Sequence, residues 1–334
     1  MYIGMDTHKR YSQVAIMDAD GSLVDERRLE HVRDFAELEA FALEFAGSQV
    51  AIEATGHYRP IYETLDDHMD VTLVHPSKTK AIAQAKVKND RLDAKLLAHL
   101  LRSNLLAESY VPPEEIRQQR DLVRTRKALV EERTSEKNRV QAVLARTGND
   151  HDSELFGPTG QSYLENLTFD AIDRTIIDAH LEVIEVLDKQ IDELEALIEE
   201  IASGRRPTQL LMTIPGVSYY SSLLITAEIG EIDRFPGAEQ LVSYAGLDPT
   251  VRQSGDREVR GGISKTGSAP LRWILVQCAN VSIRYDAYLK QFYRRLEQRK
   301  GHNIAIVATA RKLLVSIYHM LTREEGWNPP EIAG

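Results

Sequence analysis

The chain has 334 residues, 43% hydrophobic and 28% charged, with a formal net charge of −10. An apolar fraction of that size excludes wholesale disorder, and at ~100–200 residues per domain the length predicts two domains. The single cysteine, Cys278, excludes an intramolecular disulfide and, with no paired Cys/His spacing, a zinc site, while the net charge taken alone argues against a phosphate-bearing partner.

The N-terminus, MYIGMDTHKR, carries an aspartate where a signal peptide needs an apolar stretch. Tyr2–Met5 and Ser12–Met17 read as strands, and Asp18-Ala19-Asp20-Gly21 as a hairpin turn into a returning strand over Ser22–Glu30. Asp34–Phe45 has apolar residues at 35, 38, 41, 42 and 45, which is helical spacing, with Asp34 placed to cap it. Gln49–Glu53 is a buried strand ending in a carboxylate, Tyr58–Met69 a helix and Val71–Val74 a further strand. Ser77–Lys88 and Arg91–Leu106 read as helices. This order predicts an α/β domain over 1–112 with a ribonuclease-H-like mixed sheet, in which the first and fourth strands lie side by side.

Beyond Pro112-Pro113 the pattern is helical. Glu114–Thr147 reads as one long polar helix, and a Gly/Pro/Ser loop over 148–162 turns the chain. Glu165–Ile201 carries a heptad, with Ile177, Ile184, Ile191 and Ile198 at a and Leu187, Leu194 and Ile201 at d, a set that favours a two-stranded coiled coil. His180 interrupts the first d position. Two partners fit this seam: the preceding helix, in an antiparallel hairpin, or a second copy of the chain. Region 113–203 is therefore a helical, coiled-coil region. A linker at Ser203–Pro207 leads to a mostly α-helical domain over 204–326, and 327–334 is a tail. The longest apolar run, near Ile304–Ala310, falls short of the ~18 residues of a membrane span, so a soluble intracellular protein without membrane contact is expected. Arginine outnumbers lysine 28 to 13, a composition that hints at a salt-loving host.

Four acids combine into a candidate site. Asp6 ends the strand YIGMD and Glu53 ends VAIE, while Asp90 and Asp93, three apart at the start of a helix, share one face. The helix dipole alone would favour the last two. Clustered carboxylates repel one another unless protonated or neutralised by a cation, and oxygen ligands select Mg²⁺ or Mn²⁺. His99-Leu-Leu-Arg102 matches the loose H-x-x-R pattern of tyrosine recombinases, but inside an apolar helical stretch. The segment IGMDTHKRYSQVAIMDADG also has the look of a phosphate loop of actin-like ATPases, yet His8-Lys9-Arg10 stands where those need a Gly-rich turn.

MYIGMDTHK, VAIEATG and KNDRLDAKLLAHLLR resemble the DEDD motifs of insertion-sequence transposases with a RuvC-like domain. The resemblance implies that Asp6, Glu53, Asp90 and Asp93 form a catalytic tetrad that binds Mg²⁺ (or Mn²⁺). AGLDPTVRQSG, followed by GGISKTGSAPLR, resembles the C-terminal transposase domain of the same family, and Ser254 matches its nucleophile. Arg252, Arg257, Arg260, Lys265 and Arg272 surround that serine in sequence as candidate nucleic-acid contacts, and glycines 255, 261, 262 and 267 suit a mobile, phosphate-approaching loop. Leu211–Ile229 resembles a helix-hairpin-helix with Ser218 where the second glycine usually stands, or else is a plain helical hairpin.

The family implies a composite active site, a covalent DNA–serine link, a guide (bridge) RNA bound by the N-terminal and coiled-coil regions, and dimers or tetramers holding two duplexes in a prokaryotic cytoplasm, at the nucleoid. A junction-resolving nuclease would need only the tetrad, and a non-enzymatic scaffold neither. The charge objection dissolves by segment. Glu165–Glu200 holds twelve acids and two basic residues, the whole deficit of −10, while Arg117–Arg146 is +5, Val251–Arg272 +3 and Arg284–Lys312 +6.

Overall fold

A computed structural model describes residues 1–31, 34–75, 89–149, 155–254 and 257–330. The chain divides into two compact units, Met1–Val111 and Pro112–Gly334.

The first unit is built on a five-stranded mixed sheet of β1 (Tyr2–Thr7), β2 (Tyr11–Met17), β3 (Leu23–Glu30), β4 (Gln49–Glu53) and β5 (Asp70–Val74). The strand order is β3-β2-β1-β4-β5, antiparallel from β3 to β1 and parallel from β1 to β5. This is the RuvC-like arrangement expected from the sequence, with the first and fourth strands adjacent. β1, β2 and β4 are almost continuously buried because both faces of the sheet are covered. Ile3, Met5, Val50 and Ile52 pack with Leu38 and Phe41 of α1 (Ala36–Glu44) and with Ile61 and Leu65 of α2 (Tyr58–Asp66). The alternate residues Gly4 and Ala51 face α3 (Asp90–Arg102). Gly4 has a steric role, because a Cβ there would stand 2.9 Å from Leu97 Cβ and closer still to the Ala94 carbonyl and Ala98 amide of α3. The charged, half-exposed β3 forms one edge of the sheet. The helix expected over Ser77–Lys88 lies outside the described residues.

The second unit opens with α4 (Glu114–Arg146), α5 (Pro158–Asn166) and α6 (Ala171–Ser203). α4 and α6 form an antiparallel hairpin, as the pairings Arg126–Glu195, Arg133–Asp188 and Arg146–Asp173 show by running in opposite directions. The four heptad isoleucines, 177, 184, 191 and 198, are all buried within the chain. His180, at the interrupted d position, meets Glu136 across the hairpin at 2.6 Å. α5 falls partly where a loop over 148–162 was expected; its proline in the first turn, where no amide hydrogen is needed, starts a helix rather than preventing one.

The remaining elements are α7 (Arg206–Met212), α8 (Tyr219–Ile229), a 3₁₀ turn (Ile232–Arg234), α9 (Ala238–Tyr244), β6 (Pro249–Ser254), β7 (Arg257–Ile263), α10 (Ala269–Tyr285), α11 (Ala287–Lys300) and α12 (His302–Arg323). Val123, Ile198 and Ala202 at the root of the hairpin share one core with Leu211, Leu224, Leu241, Leu275 and Leu314. The α4–α6 arm and the C-terminal helices are thus one unit. Among the described residues α12 is long and apolar enough to cross a membrane, but Ala305, Ile306, Ala310, Leu313, Leu314 and Ile317 along it are buried in this core. Cys278 is buried, as a small apolar residue would be.

Candidate active site

In the first unit, sheet register brings the strand-end acids together. β1 and β4 are parallel with Met5 opposite Ile52, so the next residues along are Asp6 and Glu53. α3 begins at the same end of the sheet, with Asn89 capping it through the Arg91 amide and with Asp90 and Asp93 in its first turn. Burial pushes the Asp6 carboxyl up from its ordinary range, and the charges of Asp90, Asp93 and Glu53 push it further, against a lowering by His8. The other three acids therefore all act on Asp6. Among the described residues, the tightest group of donor atoms is that of Asp6, His8 and Asp90, all within 4.8 Å of one another. Glu53 and Asp93 lie outside that tightest group.

His8 and Tyr11 are the residues that reading the sequence missed. The His8 amide donates to the Tyr11 carbonyl at 2.9 Å, closing the turn between β1 and β2, and the two rings lie against one another with centroids 4.6 Å apart and planes tilted by 35°. The Tyr11 hydroxyl donates to Asp90 Oδ2 at 2.9 Å, and the Arg28 guanidinium lies over the Tyr11 ring at 3.7 Å. That bond to Asp90 raises the Tyr11 phenol pKa. An open cleft beside Asp90, lined by Tyr11, Gln13, Arg28, Asn89 and Arg91, brings cations next to the acids. The only sequence signal for His8 was its spacing: two residues beyond a strand-end Asp, it lies on the same side of the chain.

The donor set fits a divalent cation. Two carboxylate oxygens and an imidazole nitrogen converge, and the charges of further acids raise the Asp6 carboxyl.

In the second unit, the segment expected to be a mobile loop contains a two-stranded antiparallel sheet. Val251 and Arg252 oppose Arg260 and Val259, and Ser254, the last residue of β6, pairs with Arg257. The β-branched Thr250, Val251 and Val259 suit strands. The side chains of Arg252, Ser254, Arg257 and Arg260, and all of Gly255, lie outside the described residues. Lys265 is exposed and holds a left-handed backbone, φ 56°, at the foot of the hairpin. The Arg272 guanidinium donates to the Ala245 carbonyl at 3.0 Å, so at least one of its donors is used inside the unit.

The hairpin foot is tied to the arm. Glu228, fully buried at the end of α8, accepts from Arg124 Nε and Nη2 at 2.7 and 3.0 Å and from Ser268 Oγ at 2.9 Å. Ser268 also caps α10 through the Leu271 amide. Ile214–Val217 does form the turn of a helical hairpin, but the Ser218 amide donates to Ser221 Oγ at 2.7 Å in a capping box and so already has a partner. Most cations of α4 are likewise engaged: Arg120 bonds the Ala227 and Glu228 carbonyls, and Arg126, Arg133 and Arg146 pair with acids of α6. Of the C-terminal aromatics, Tyr293 is buried and Lys312 lies over both Tyr288 and Phe292, whereas Tyr285 is exposed.

Comparison with known proteins agrees with both halves. Residues 3–149 match a family model described as a transposase, the DEDD type of IS110, and residues 208–294 match one described as transposase IS116/IS110/IS902 family. The transposase of insertion sequence element IS1111A from Coxiella burnetii is 26% identical over 97% of this chain and 90% of its own length. The transposase of IS1328 from Yersinia enterocolitica is 24% identical, covering 93% of each chain. The pilin gene-inverting protein of Moraxella bovis is 30% identical over 81% of this chain and 79% of its own.

Proposed function

The chain belongs to the IS116/IS110/IS902 family of transposases, and from that premise we propose how it recombines DNA. Asp6, Glu53, Asp90 and Asp93 hold Mg²⁺ or Mn²⁺, and the ion when bound neutralises charge at the scissile phosphate. The observation that carries this reading is the convergence of strand-end and helix-start acids on Asp6, with donor atoms of Asp6 and Asp90 inside 4.8 Å.

Ser254 is the nucleophile. Its Oγ loses its proton and bonds to phosphorus, one P–O ester bond of the strand breaks, and the released DNA end leaves as a free hydroxyl. The phosphodiester energy is kept in the serine–DNA link, so a hydroxyl from a second strand can attack that phosphorus, rejoin the DNA and restore Ser254. Arg252, Arg257, Arg260, Lys265 and Arg272 supply the positive charge of this segment toward DNA. The DNA partners are the element ends and the target, a bridge RNA guides their pairing, and two or four copies hold the two duplexes. The ends can be joined in either orientation by the same exchange, which accommodates both a transposase and a gene inverter among the relatives.

A nicked suicide substrate tests the reading. Wild-type protein becomes covalently linked to labelled DNA, Ser254→Ala loses the adduct and keeps DNA binding, and Asp6→Asn loses both cleavage and adduct. An adduct that persists in Ser254→Ala refutes the nucleophile, and cleavage that persists there without an adduct means a metal-dependent junction nuclease instead.

A further inference from the structure

We propose that His8 is a direct ligand of the divalent ion and sets the centre's preference toward Mn²⁺ over Mg²⁺. The inference deepens the metal-centre reading above and rests on it. Its starting point is an unsatisfied atom. His8 Nε2 is shielded from solvent and makes no hydrogen bond, although Asp6 Oδ2 stands 3.3 Å away and Asp90 Oδ2 3.2 Å away. The nitrogen lies within ion-pair distance of two carboxylates, yet the geometry is not that of a hydrogen bond to either. An imidazole nitrogen grouped with two carboxylate oxygens within 4.8 Å of one another is a donor set of the kind that holds a transition-metal ion.

The backbone enforces this placement. The closed turn at Tyr11 and the tilted contact with the Tyr11 ring hold His8 where it is, and the Tyr11 hydroxyl fixes Asp90 on the other side. The remaining acids, Glu53 and Asp93, are near enough for their charges to act on Asp6, and under this proposal they would add oxygen donors to the centre. An all-oxygen shell takes Mg²⁺ readily. Replacing one oxygen by imidazole favours a later, softer ion, because Mg²⁺ prefers carboxylate, carbonyl and water while the first-row transition ions accept nitrogen.

The experiment loads the full-length protein with Mn²⁺ at one equivalent and records pulsed electron paramagnetic resonance, alongside calorimetric titration with Mn²⁺ and with Mg²⁺. Expected is ¹⁴N modulation from a coordinated imidazole in wild type, absent in His8→Ala and in His8→Asn, the second variant keeping a polar side chain at the turn. Mn²⁺ affinity should fall by about tenfold or more in both variants, as loss of a ligand or its support does, while Mg²⁺ affinity changes far less. Wild-type protein that binds Mn²⁺ without ¹⁴N modulation overturns the proposal with no variant needed, as does a variant that keeps both the signal and the affinity. If wild type binds neither ion, and Asp6→Asn changes nothing, the metal-centre reading itself falls and this inference falls with it.

Discussion

Gly4→Ala should damage the candidate centre without touching any of its side chains. The added Cβ would stand 2.9 Å from Leu97 Cβ and nearer still to the Ala94 carbonyl oxygen and the Ala98 amide nitrogen. Non-bonded contacts settle at ~3.5 Å, so the contact with the Ala94 carbonyl oxygen forces α3 back from β1 by about 1.5 Å. Overpacking of this kind costs about 1–3 kcal/mol of stability. The larger effect is geometric. Asp90 and Asp93 ride on the first turn of α3 while Asp6 and His8 ride on β1 and the turn after it, so the displacement opens the gap between the two sets. Metal ligands tolerate departures of only about 0.2 Å, so divalent-ion affinity should fall at least about tenfold. The measurement is calorimetric Mn²⁺ titration beside a thermal melt. Gly47→Ala is the control: Gly47 has φ +76° and nothing within 4 Å of an added Cβ, so Ala there strains the backbone and leaves α3 in place. It should lower Tm and leave affinity alone. Wild-type affinity in Gly4→Ala, or an equal loss in Gly47→Ala, would refute the reasoning.

Three further outcomes follow from the contacts. Tyr11→Phe removes the hydrogen bond that fixes Asp90, worth ~1 kcal/mol of stability, and should lower Tm by a few degrees and weaken Mn²⁺ binding as Asp90 loses its orientation; a melt and a titration check it. Glu228→Gln leaves Arg124 without its charge partner. Because the Arg124 side chain is 49% exposed, the loss should be about 2 kcal/mol rather than the ~3–5 of a wholly buried pair, or about 6 °C in Tm by calorimetry. Burial pushes the Cys278 thiol up to about 11, so maleimide at pH 8 should leave it unlabelled until the second unit opens. This folded-state pKa is raised, so its stability contribution is complete below the unfolded thiol's ordinary value near 9 and drains away as pH climbs toward 11. Melts across that window should decline more steeply for wild type than for Cys278→Ala.

Much of the fold was legible because it is written in periodicity. YIGMD, SQVAIM and QVAIE alternate or run apolar at strand length, and all three are strands in the expected order. The heptad isoleucines marked the buried seam of α6, but not its partner: a seam of that kind is satisfied equally by a neighbouring helix or another chain, and only tertiary structure shows α4 covering it. Residues 249–263 read as a loop because their glycines and arginines carry no hydrophobic stripe, while the pairing that makes them a hairpin is between backbones. Within the site, Asp6, Glu53, Asp90 and Asp93 were visible as acids at element ends. Gly4 and His8 were not. The role of Gly4 depends on which helix crosses it, and that of His8 on a turn that directs its ring back toward Asp6. Both are properties of non-local packing, which one-dimensional spacing does not encode.

The arm has its own small core at its far end, where Val140, Val143, Leu144, Leu155, Leu164, Ile177 and Ile184 pack together apart from the main one. Such a cluster can melt and re-form while the root stays folded, as an independent cooperative segment. It also makes the tip exchangeable. A swap of the tip between relatives that keeps the rooting residues Val123, Ile198 and Ala202 would leave the catalytic body untouched. The arm tip is thereby a part of the protein whose packing can change without disturbing the core that anchors the arm.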